Sequence, residues 1–338
     1  MYKLILDAMG GDNAPQAILD GAVAALQEYS DIFIYLVGKQ EVIQEHLAGK
    51  SYDASRVEIV DAREEIEMAE PPVKAVRTKK DASMVVGMQM AAEGKGDAFI
   101  TAGSTGAAVA GGTLIVRRAP GVLRPALAPV LPSAKGGVLL IDCGANVDCK
   151  PAFLQQFAIM GSIYMRTVMG VENPRVGLIN NGAEEEKGNS LTKEAYQLLK
   201  ESNIHFVGNA EGRDILSGQF DVVVCDGFVG NVLMKFMEGC ASFLFGKIKE
   251  ELLSSTRTKI GAALAKPAFS SLKKQLDYTE YGGALLLGTN AGVIKAHGSS
   301  NAKAVKSAIG QAREFARLGI VEKIKQELAE AAQETENE

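Results

Sequence analysis

The chain has 338 residues and a formal net charge of −5, and 36 of its residues are glycine, against an average share of ~7%. Abundant aliphatic residues and glycines without a triplet period exclude a disordered or collagen-like chain. Four cysteines without a Cys-x-x-Cys pair, together with three histidines, argue against a disulfide scaffold and against a metal site. The net charge argues against nucleic acid as a partner of the whole chain. The first apolar run ends at Asp7, too early for a signal peptide, which predicts a cytosolic protein.

Nine short aliphatic runs predict β-strands, at 3–7, 33–37, 57–61, 98–101, 138–142, 176–180, 204–207, 221–225 and 293–296. Apolar residues three or four apart predict helices at 15–26, 83–92, 190–199, 231–253 and 302–318. Several strand runs are apolar at consecutive positions, which indicates burial on both faces. The alternation predicts an α/β fold with a doubly wound, largely parallel sheet, in a single domain over 1–338.

Eight of the nine predicted strands are followed by a glycine within one to three residues. In an open α/β sheet, ligands bind beyond the carboxyl ends of the strands. The excess glycine therefore lies where a binding site is expected, although tight turns after strands also use glycine without any ligand.

Two glycine-rich loops supply the first candidate substrate-binding residues, which are Gly10, Gly11, Asp12, Gly103, Ser104, Thr105 and Gly106. Backbone N–H groups at the start of a helix favour an anion such as phosphate. The loops match neither the P-loop nor the dinucleotide-binding pattern, so a nucleotide is not indicated. Close packing of a helix on a sheet would use the same small residues.

Two later loops add further polar candidates at strand ends. Asp142 and Asn146 follow one strand, and an asparagine amide there can donate to a phosphate or to a developing oxyanion. The second of these loops supplies Asp226, Gly230 and Asn231 at the start of a long helix. Cys143 is the weaker candidate for a nucleophile, because no histidine is near it in sequence.

A long polar loop carries Lys187 and Asn189. One interpretation is that Lys187 closes over an anionic substrate; the other is a solvated loop in which Lys187 pairs with Glu184. His297 follows the last predicted strand and is either an acid or donor in a site or a structural histidine.

Two surface features complete the pattern. Arg117, Arg118 and Arg124 form a basic group that predicts docking of an acidic macromolecule. Residues 231–277 predict a projecting helical hairpin with a break at Lys266-Pro267 and a small apolar tip at 260–265. Such a hairpin would serve dimerisation or core packing, or its tip would touch a membrane surface.

Six motifs then occur in order along the chain: ILDAMGGDNAP at 5–15, ITAGSTGA at 100–107, IDCGAN at 141–146, INNGAEEEKGN at 179–189, VVCDGFVGN at 223–231 and AHGSSN at 296–301. Together they resemble the bacterial phosphate acyltransferases of the PlsX family. The resemblance implies the fold of phosphotransacetylases and isocitrate-dehydrogenase-type enzymes.

It also implies transfer of a long acyl group from acyl carrier protein to inorganic phosphate, for phospholipid synthesis. The expected protein is a cofactor-free, cytosolic homodimer, weakly associated with the membrane and partnered by a membrane glycerol-3-phosphate acyltransferase.

The candidate residues suit that chemistry, because phosphate is already a nucleophile and needs no activated side chain. What remains is to hold both reactants and to stabilise the oxyanion, for which the candidates are Lys187, Asn146, Asn231 and His297. Three alternatives stay open: a short-chain phosphotransacetylase, a dehydrogenase of the same fold, and a membrane-surface scaffold without activity. Against the dehydrogenase, no evident acidic cluster is spaced for a divalent ion.

Overall fold

The computed structural model describes residues 1–275 and 282–336. The strands are β1 (Tyr2–Asp7), β2 (Ile32–Gly38), β3 (Val57–Asp61), β4 (Ala98–Thr101), β5 (Ala126–Ala128), β6 (Val130–Ser133), β7 (Gly136–Ile141), β8 (Val176–Asn180), β9 (Phe206–Glu211), β10 (Val222–Val224), β11 (Ala284–Leu287) and β12 (Gly292–Lys295). The helices are α1 (Gln16–Glu28), α2 (Gln40–Leu47), α3 (Pro72–Thr78), α4 (Ser83–Ala92), α5 (Thr105–Gly111), α6 (Pro151–Thr167), α7 (Ser190–Glu201), α8 (Gly227–Leu252), α9 (Thr256–Gln275), α10 (Ala302–Arg317) and α11 (Ile320–Glu336).

The strands form two sheets rather than one. The seven-stranded sheet has the order β3-β2-β1-β4-β12-β11-β5, and the five-stranded sheet has the order β6-β7-β10-β8-β9. Within each sheet the central pairs are parallel, and antiparallel pairing is confined to β11 and β6 at or near one edge. The predicted α/β class with largely parallel sheets is confirmed. That residues 1–338 form a single domain stays a prediction.

Helices cover both faces of the seven-stranded sheet, as consecutive apolar residues in its strands require. In β1, Leu4 and Leu6 belong to the core shared with α1 and α10, whereas Ile5 belongs to the core shared with α4. Helices α1 and α10 pack closely because Gly21 faces Val305, where an added Cβ would lie 2.6 Å from the valine Cβ. All nine predicted strands and all five predicted helices are present.

The five-stranded sheet is covered in the same way. Helix α6 packs on one face, where Gly161 lies against Val222 and Leu139. The other face packs against the first turns of α8 and a 3₁₀ segment at Gly212–Ser217. Both sheets therefore bury their strands and direct the polar loops at the strand ends to a surface.

The predicted hairpin is formed by α8 and α9, while its last two residues, 276 and 277, lie outside the described residues. Two details of the prediction are wrong. Segment 260–265 lies inside α9 and not at the tip, because Ser255 and Thr258 cap α9 reciprocally and so start it at Thr256. No break occurs at Pro267, since one lost backbone hydrogen bond does not end a helix of this length.

The apolar stripe of the hairpin faces solvent. Phe236 and Phe243 on α8 are 69% and 64% exposed, and Leu264 on α9 is 80% exposed. The stripe therefore does not pack into the core of the same chain, and that predicted use of the hairpin is wrong. Among the described residues, α8 alone has the length and mean hydropathy of a membrane-crossing helix, a weak criterion that also fits core helices of soluble proteins.

Candidate active site

The predicted site residues gather at the carboxyl ends of strands in two groups. The first loop cluster follows β1, β4 and β12 of the seven-stranded sheet and contains Gly10, Gly11, Asp12, Gly103, Ser104, Thr105, Gly106 and His297. The second loop cluster follows β7, β8 and β10 of the five-stranded sheet and contains Asp142, Asn146, Lys187, Asn189, Asp226, Gly230 and Asn231. The four predicted catalytic residues are thus divided, with His297 in the first cluster and the others in the second.

A buried carboxylate that the sequence did not single out organises the first loop cluster. Asp7 accepts hydrogen bonds from Ser83 Oγ at 2.6 Å and Thr101 Oγ1 at 2.7 Å. Thr101 Oγ1 in turn accepts from the N–H of Gly103 at 2.9 Å. Burial raises the pKa of Asp7, and these hydroxyl donors oppose that shift. Asp7 therefore connects the ends of β1 and β4.

The glycines of this cluster allow close approach between its loops. A Cβ at Gly10 would lie 2.9 Å from both Thr101 Oγ1 and the Gly103 nitrogen. Gly11 has a φ of 113°, which side chains rarely adopt, and the N–H of Asp12 donates to the Gly298 carbonyl at 2.8 Å. The loops after β1, β4 and β12 are therefore one contiguous unit, at the point where the strand order reverses beside β1.

Two predicted residues of this unit also have local structural partners. Ser104 Oγ accepts from the Ala107 N–H at 3.5 Å and caps α5. His297 is exposed, and its Nδ1 lies 2.8 Å from Ser299 Oγ and 3.2 Å from the Ser299 N–H that donates to it. These contacts fix the orientation of the imidazole ring at the surface of the cluster.

Asp142 is the centre of the second loop cluster. Its fully buried carboxylate accepts from the N–H groups of Leu127 at 2.8 Å, Ala145 at 3.2 Å and Asn146 at 2.6 Å. Burial raises the pKa of Asp142, and these donors offset part of the increase. Because Leu127 lies on β5, this carboxylate also joins the two sheets.

The prediction that Asn146 donates to an oxyanion is wrong for this conformation. Its Nδ2 donates to the Pro125 carbonyl at 2.8 Å and to Asp142 Oδ2 at 3.0 Å, so both amide hydrogens already have acceptors. Asn146 instead holds the loop after β7 against the segment before β5.

The start of α8 brings three predicted residues to this cluster. Asp226 caps the helix, with its Oδ1 accepting from the Val229 N–H at 2.8 Å. Gly230 lies against the carbonyl of Asp142. Asn231 is exposed and close to Gly144, where an added Cβ would be 3.6 Å from the Asn231 Cγ. The Asn231 amide is therefore presented above the loop of Asp142.

The loop of Lys187 is held by its backbone rather than by its charge. Asn180 Nδ2 donates to the Lys187 carbonyl at 3.1 Å and to Asn209 Oδ1 at 3.0 Å, and the Lys187 N–H donates to the Glu184 carbonyl at 3.1 Å. Glu184 and Lys187 thus share a backbone bond, and the alternative of an ion pair between them does not hold. In the described part of the chain the exposed Lys187 ammonium has no carboxylate partner. Asn180 and Asn209 were missed from the sequence.

A cavity of about 440 Å³ lies between α7 and α8 in this cluster. Its polar lining includes Asn180, Asn189 and Asp226, and the thiol-bearing Cys225 lies beside them. Asn189 Oδ1 accepts from the Thr192 N–H at 3.0 Å and caps α7. A small polar ligand fits a cavity of this size and lining.

The three predicted docking arginines lie together. Arg117, Arg118 and Arg124 line a groove of about 770 Å³, and the Arg124 guanidinium lies 5.6 Å from the centre of the Phe153 ring. Pro125 also lines this groove, and its carbonyl accepts from Asn146. The basic groove therefore adjoins the second loop cluster.

The arrangement suits transfer between two bound reactants better than attack by a protein thiol. Burial raises the pKa of Cys143 and Cys225 well above the usual thiol range and that of Cys149 to about 12. Within the described ranges, no group of three or more His, Cys, Asp or Glu side chains is placed to hold a metal ion. The exposed ammonium of Lys187 and the backbone-rich loops are groups that bind anions.

Comparison with known proteins agrees with this chemistry. A family model described as "Fatty acid synthesis protein" matches residues 2–323. A phosphate acyltransferase of Clostridium botulinum (strain Loch Maree / Type A3) is 50% identical over 325 residues, 96% of this chain and 97% of the relative. Phosphate acyltransferases of Alkaliphilus oremlandii and Bacillus cytotoxicus are each 52% identical, covering 95% and 94% of this chain and 96% of each relative.

Solved structures share the fold at low sequence identity. A phosphotransacetylase from Streptococcus pyogenes superposes with a TM-score of 0.61 at 15% identity, covering 94% of both chains. A branched-chain phosphotransacylase from Enterococcus faecalis V583 gives a TM-score of 0.55 at 13% identity, covering 94% of this chain and 99% of the other.

Fold, site and relatives together define the chain as an α/β acyltransferase. It belongs to the phosphate acyltransferase family of fatty acid synthesis proteins, the PlsX family whose motifs the sequence resembles.

Proposed function

We propose that this enzyme transfers a long-chain acyl group from the thioester of acyl carrier protein to inorganic phosphate, supplying acyl phosphate for phospholipid synthesis. One observation carries the choice of donor. The groove of Arg117, Arg118 and Arg124 lies on an acidic chain and adjoins the second loop cluster through Pro125. An acidic carrier protein docked there would have its thioester arm beside the cluster.

The reaction balances without a cofactor. A phosphate oxygen attacks the thioester carbonyl carbon, the carbon–oxygen bond forms, and the tetrahedral intermediate collapses as the carbon–sulfur bond breaks. Hydrogen phosphate gives up its proton and the leaving sulfur takes one, so the products are acyl phosphate and the free carrier thiol. The protein must desolvate and align the reactants and stabilise the oxyanion.

In this proposal both loop clusters contribute to binding phosphate, and the second also stabilises the oxyanion. The exposed Lys187 ammonium and the Asn231 amide of the second cluster contact phosphate and the developing oxyanion, and Asn189 and Asp226 line the cavity of the same cluster. The backbone N–H groups of Gly10, Gly11 and residues 104–106 hold phosphate from the first cluster, where His297 is a donor, while the Gly103 N–H stays bonded to Thr101.

The proposal extends to the setting of the enzyme in the cell. The exposed apolar stripe of α8 and α9 supports a homodimer contact and weak association with the membrane surface. We propose a cytoplasmic protein that passes acyl phosphate to a membrane glycerol-3-phosphate acyltransferase, since a long-chain product is poorly soluble in water.

The test combines the purified chain with palmitoyl acyl carrier protein and inorganic phosphate. Acyl phosphate is trapped with hydroxylamine and the carrier thiol is counted with a chromogenic disulfide. Equal amounts of the two products support the proposal. Turnover of acetyl-CoA in place of the acyl carrier would favour a short-chain phosphotransacetylase, and no turnover of either donor would leave the membrane-scaffold alternative.

A further inference from the structure

Lys295 is a buried cation to which the proposed reaction gives no role. It is the last residue of β12, and 6% of its surface is exposed. A buried ammonium group is costly unless acceptors surround it, so lysine at this position requires a reason.

The contacts of Lys295 lie at the junction of two loops of the first cluster. Its Nζ donates to the Ala102 carbonyl at 3.3 Å and to the Ala296 carbonyl. Ala102 directly precedes Gly103, and Ala296 directly precedes His297. A single ammonium therefore ties the loop after β4 to the loop after β12.

Two carboxylates lie near this ammonium without pairing with it. The charges of Asp12 and Asp7, both from the β1 end, favour the protonated form, but burial outweighs them and lowers the pKa of Lys295 to about 8. The charge of Glu65, in the segment before α3, acts on Asp7, and His297 lies two residues after Lys295 in the loop that follows β12. On β4, the residue paired with Lys295 is Thr101, whose side chain is an uncharged hydroxyl.

We propose that Lys295 is a positioning residue of the first loop cluster, which fixes the Ala102 and Ala296 carbonyls and offsets the charges of Asp7 and Asp12 so that phosphate can bind there. The inference rests on the proposed function, because it assigns phosphate to this cluster. Without the ammonium, an incoming phosphate would meet two carboxylates in a region of low dielectric.

The experiment compares the wild type with Lys295→Met, Lys295→Arg and a control, Lys306→Met. Lys306 lies on α10 and pairs with Glu28, away from both clusters. Phosphate binding is measured by isothermal titration calorimetry, and KM and kcat are measured in the acyl transfer assay. We expect Lys295→Met to weaken phosphate binding and raise the phosphate KM by about tenfold or more, with a smaller change in kcat. Lys295→Arg should recover part of the loss, and Lys306→Met should match the wild type.

A pH profile separates this role from a merely structural one. In the wild type, the dissociation constant for phosphate should rise above a pH of about 8, as Lys295 loses its proton, and this limb should vanish in Lys295→Met. If Lys295→Met fails to fold, the wild-type profile and Lys295→Arg carry the test.

Unchanged phosphate binding in a folded Lys295→Met, or no phosphate binding by the wild type, would overturn the inference. Lys295-dependent phosphate binding without acyl phosphate formation would instead refute the proposed function and leave the role of Lys295 standing.

Discussion

The α-carbon of Gly230 packs directly against the main-chain carbonyl of Asp142, and this contact sets the distance between the start of α8 and the loop after β7. Any side chain at Gly230 would displace one of the two. Both Asp226, which caps α8, and Asn231, which follows Gly230, depend on this approach for their positions.

Gly230→Ala should therefore impair activity by more than its helix propensity suggests. We expect kcat/KM to fall by about 100-fold or more, and stability to fall by about 1–3 kcal/mol through overpacking. The control is Gly246→Ala in the same helix, where an added Cβ meets nothing within 4 Å. That control should gain up to about 1 kcal/mol. Equal behaviour of the two variants in steady-state kinetics and urea unfolding would contradict the reasoning.

Lys187→Ala removes an exposed cation of the second loop cluster. Turnover should fall by at least about tenfold, while the thermal midpoint stays close to that of the wild type, because the loop is held by backbone bonds. Lys193→Ala on α7 removes a lysine of the same region and should keep full activity. Unchanged kinetics for Lys187→Ala would show that Lys187 is not part of the active site.

The arginine groove predicts an effect confined to the carrier substrate. The double variant Arg117→Ala/Arg124→Ala should raise the KM for acyl carrier protein by about tenfold or more and leave the phosphate KM unchanged. The wild-type KM for the carrier should also increase with sodium chloride, since exposed charges are screened. Arg213→Ala, a substitution of an exposed arginine on the five-stranded side, is the control. An equal rise in both KM values would point to a structural defect instead.

The hairpin prediction concerns binding to lipid. Leu264→Glu places a charge on the apolar stripe of α9, and we expect it to reduce flotation with anionic liposomes while acyl transfer in solution continues. Leu216→Glu adds the same charge at an exposed apolar residue outside the hairpin and should float like the wild type. Flotation of Leu264→Glu at the wild-type level would show that this part of α9 does not contact the membrane.

The buried lysine also predicts how stability depends on pH. The pKa of Lys295 is about 8 in the folded chain against 10.5 for an ordinary lysine, so between these values the unfolded chain holds a proton that the folded chain lacks. Stability should therefore rise with pH across this interval. Relative to Lys295→Met, the wild type should gain about 2 kcal/mol between pH 7 and about pH 9.5 in urea unfolding. A constant difference would show that Lys295 has an ordinary pKa.

The central strands could be predicted because burial on both faces leaves consecutive apolar residues. Strands β5 and β11 are buried but only three and four residues long, and apolar runs this short do not distinguish a strand from a buried turn or the end of a helix. The division into two sheets depends on which strands pair, and pairing is a property of distant segments that a single sequence does not display.

The sequence was sufficient to predict which loops form the candidate site, but not which hydrogen bonds each of their side chains makes. The engagement of Asn146 depends on the Pro125 carbonyl, 21 residues away, and nothing in the local motif reveals that partner. Lys295 did leave a signal, since a lysine inside an aliphatic strand run is unexpected. The asparagines at 180 and 209 left only the weaker signal of polar residues near strand ends.

The pairing of Ala128 on β5 with Leu285 on β11 means that the chain leaves the seven-stranded sheet and returns to it at neighbouring positions. The segment between these strands, 129–283, is an insert with respect to that sheet, and it contains the whole second loop cluster and the hairpin. Replacing this insert by that of a relative would exchange Lys187 and the cavity between α7 and α8 in one recombination step. The seven-stranded sheet would keep its strand order, its buried lysine and its three arginines, although the groove of those arginines would take its Phe153 position from the new insert. Evolution or engineering could thus alter one half of the site and retain the other, provided that the bonds of Asp142 to Leu127 and of Asn146 to Pro125 are kept.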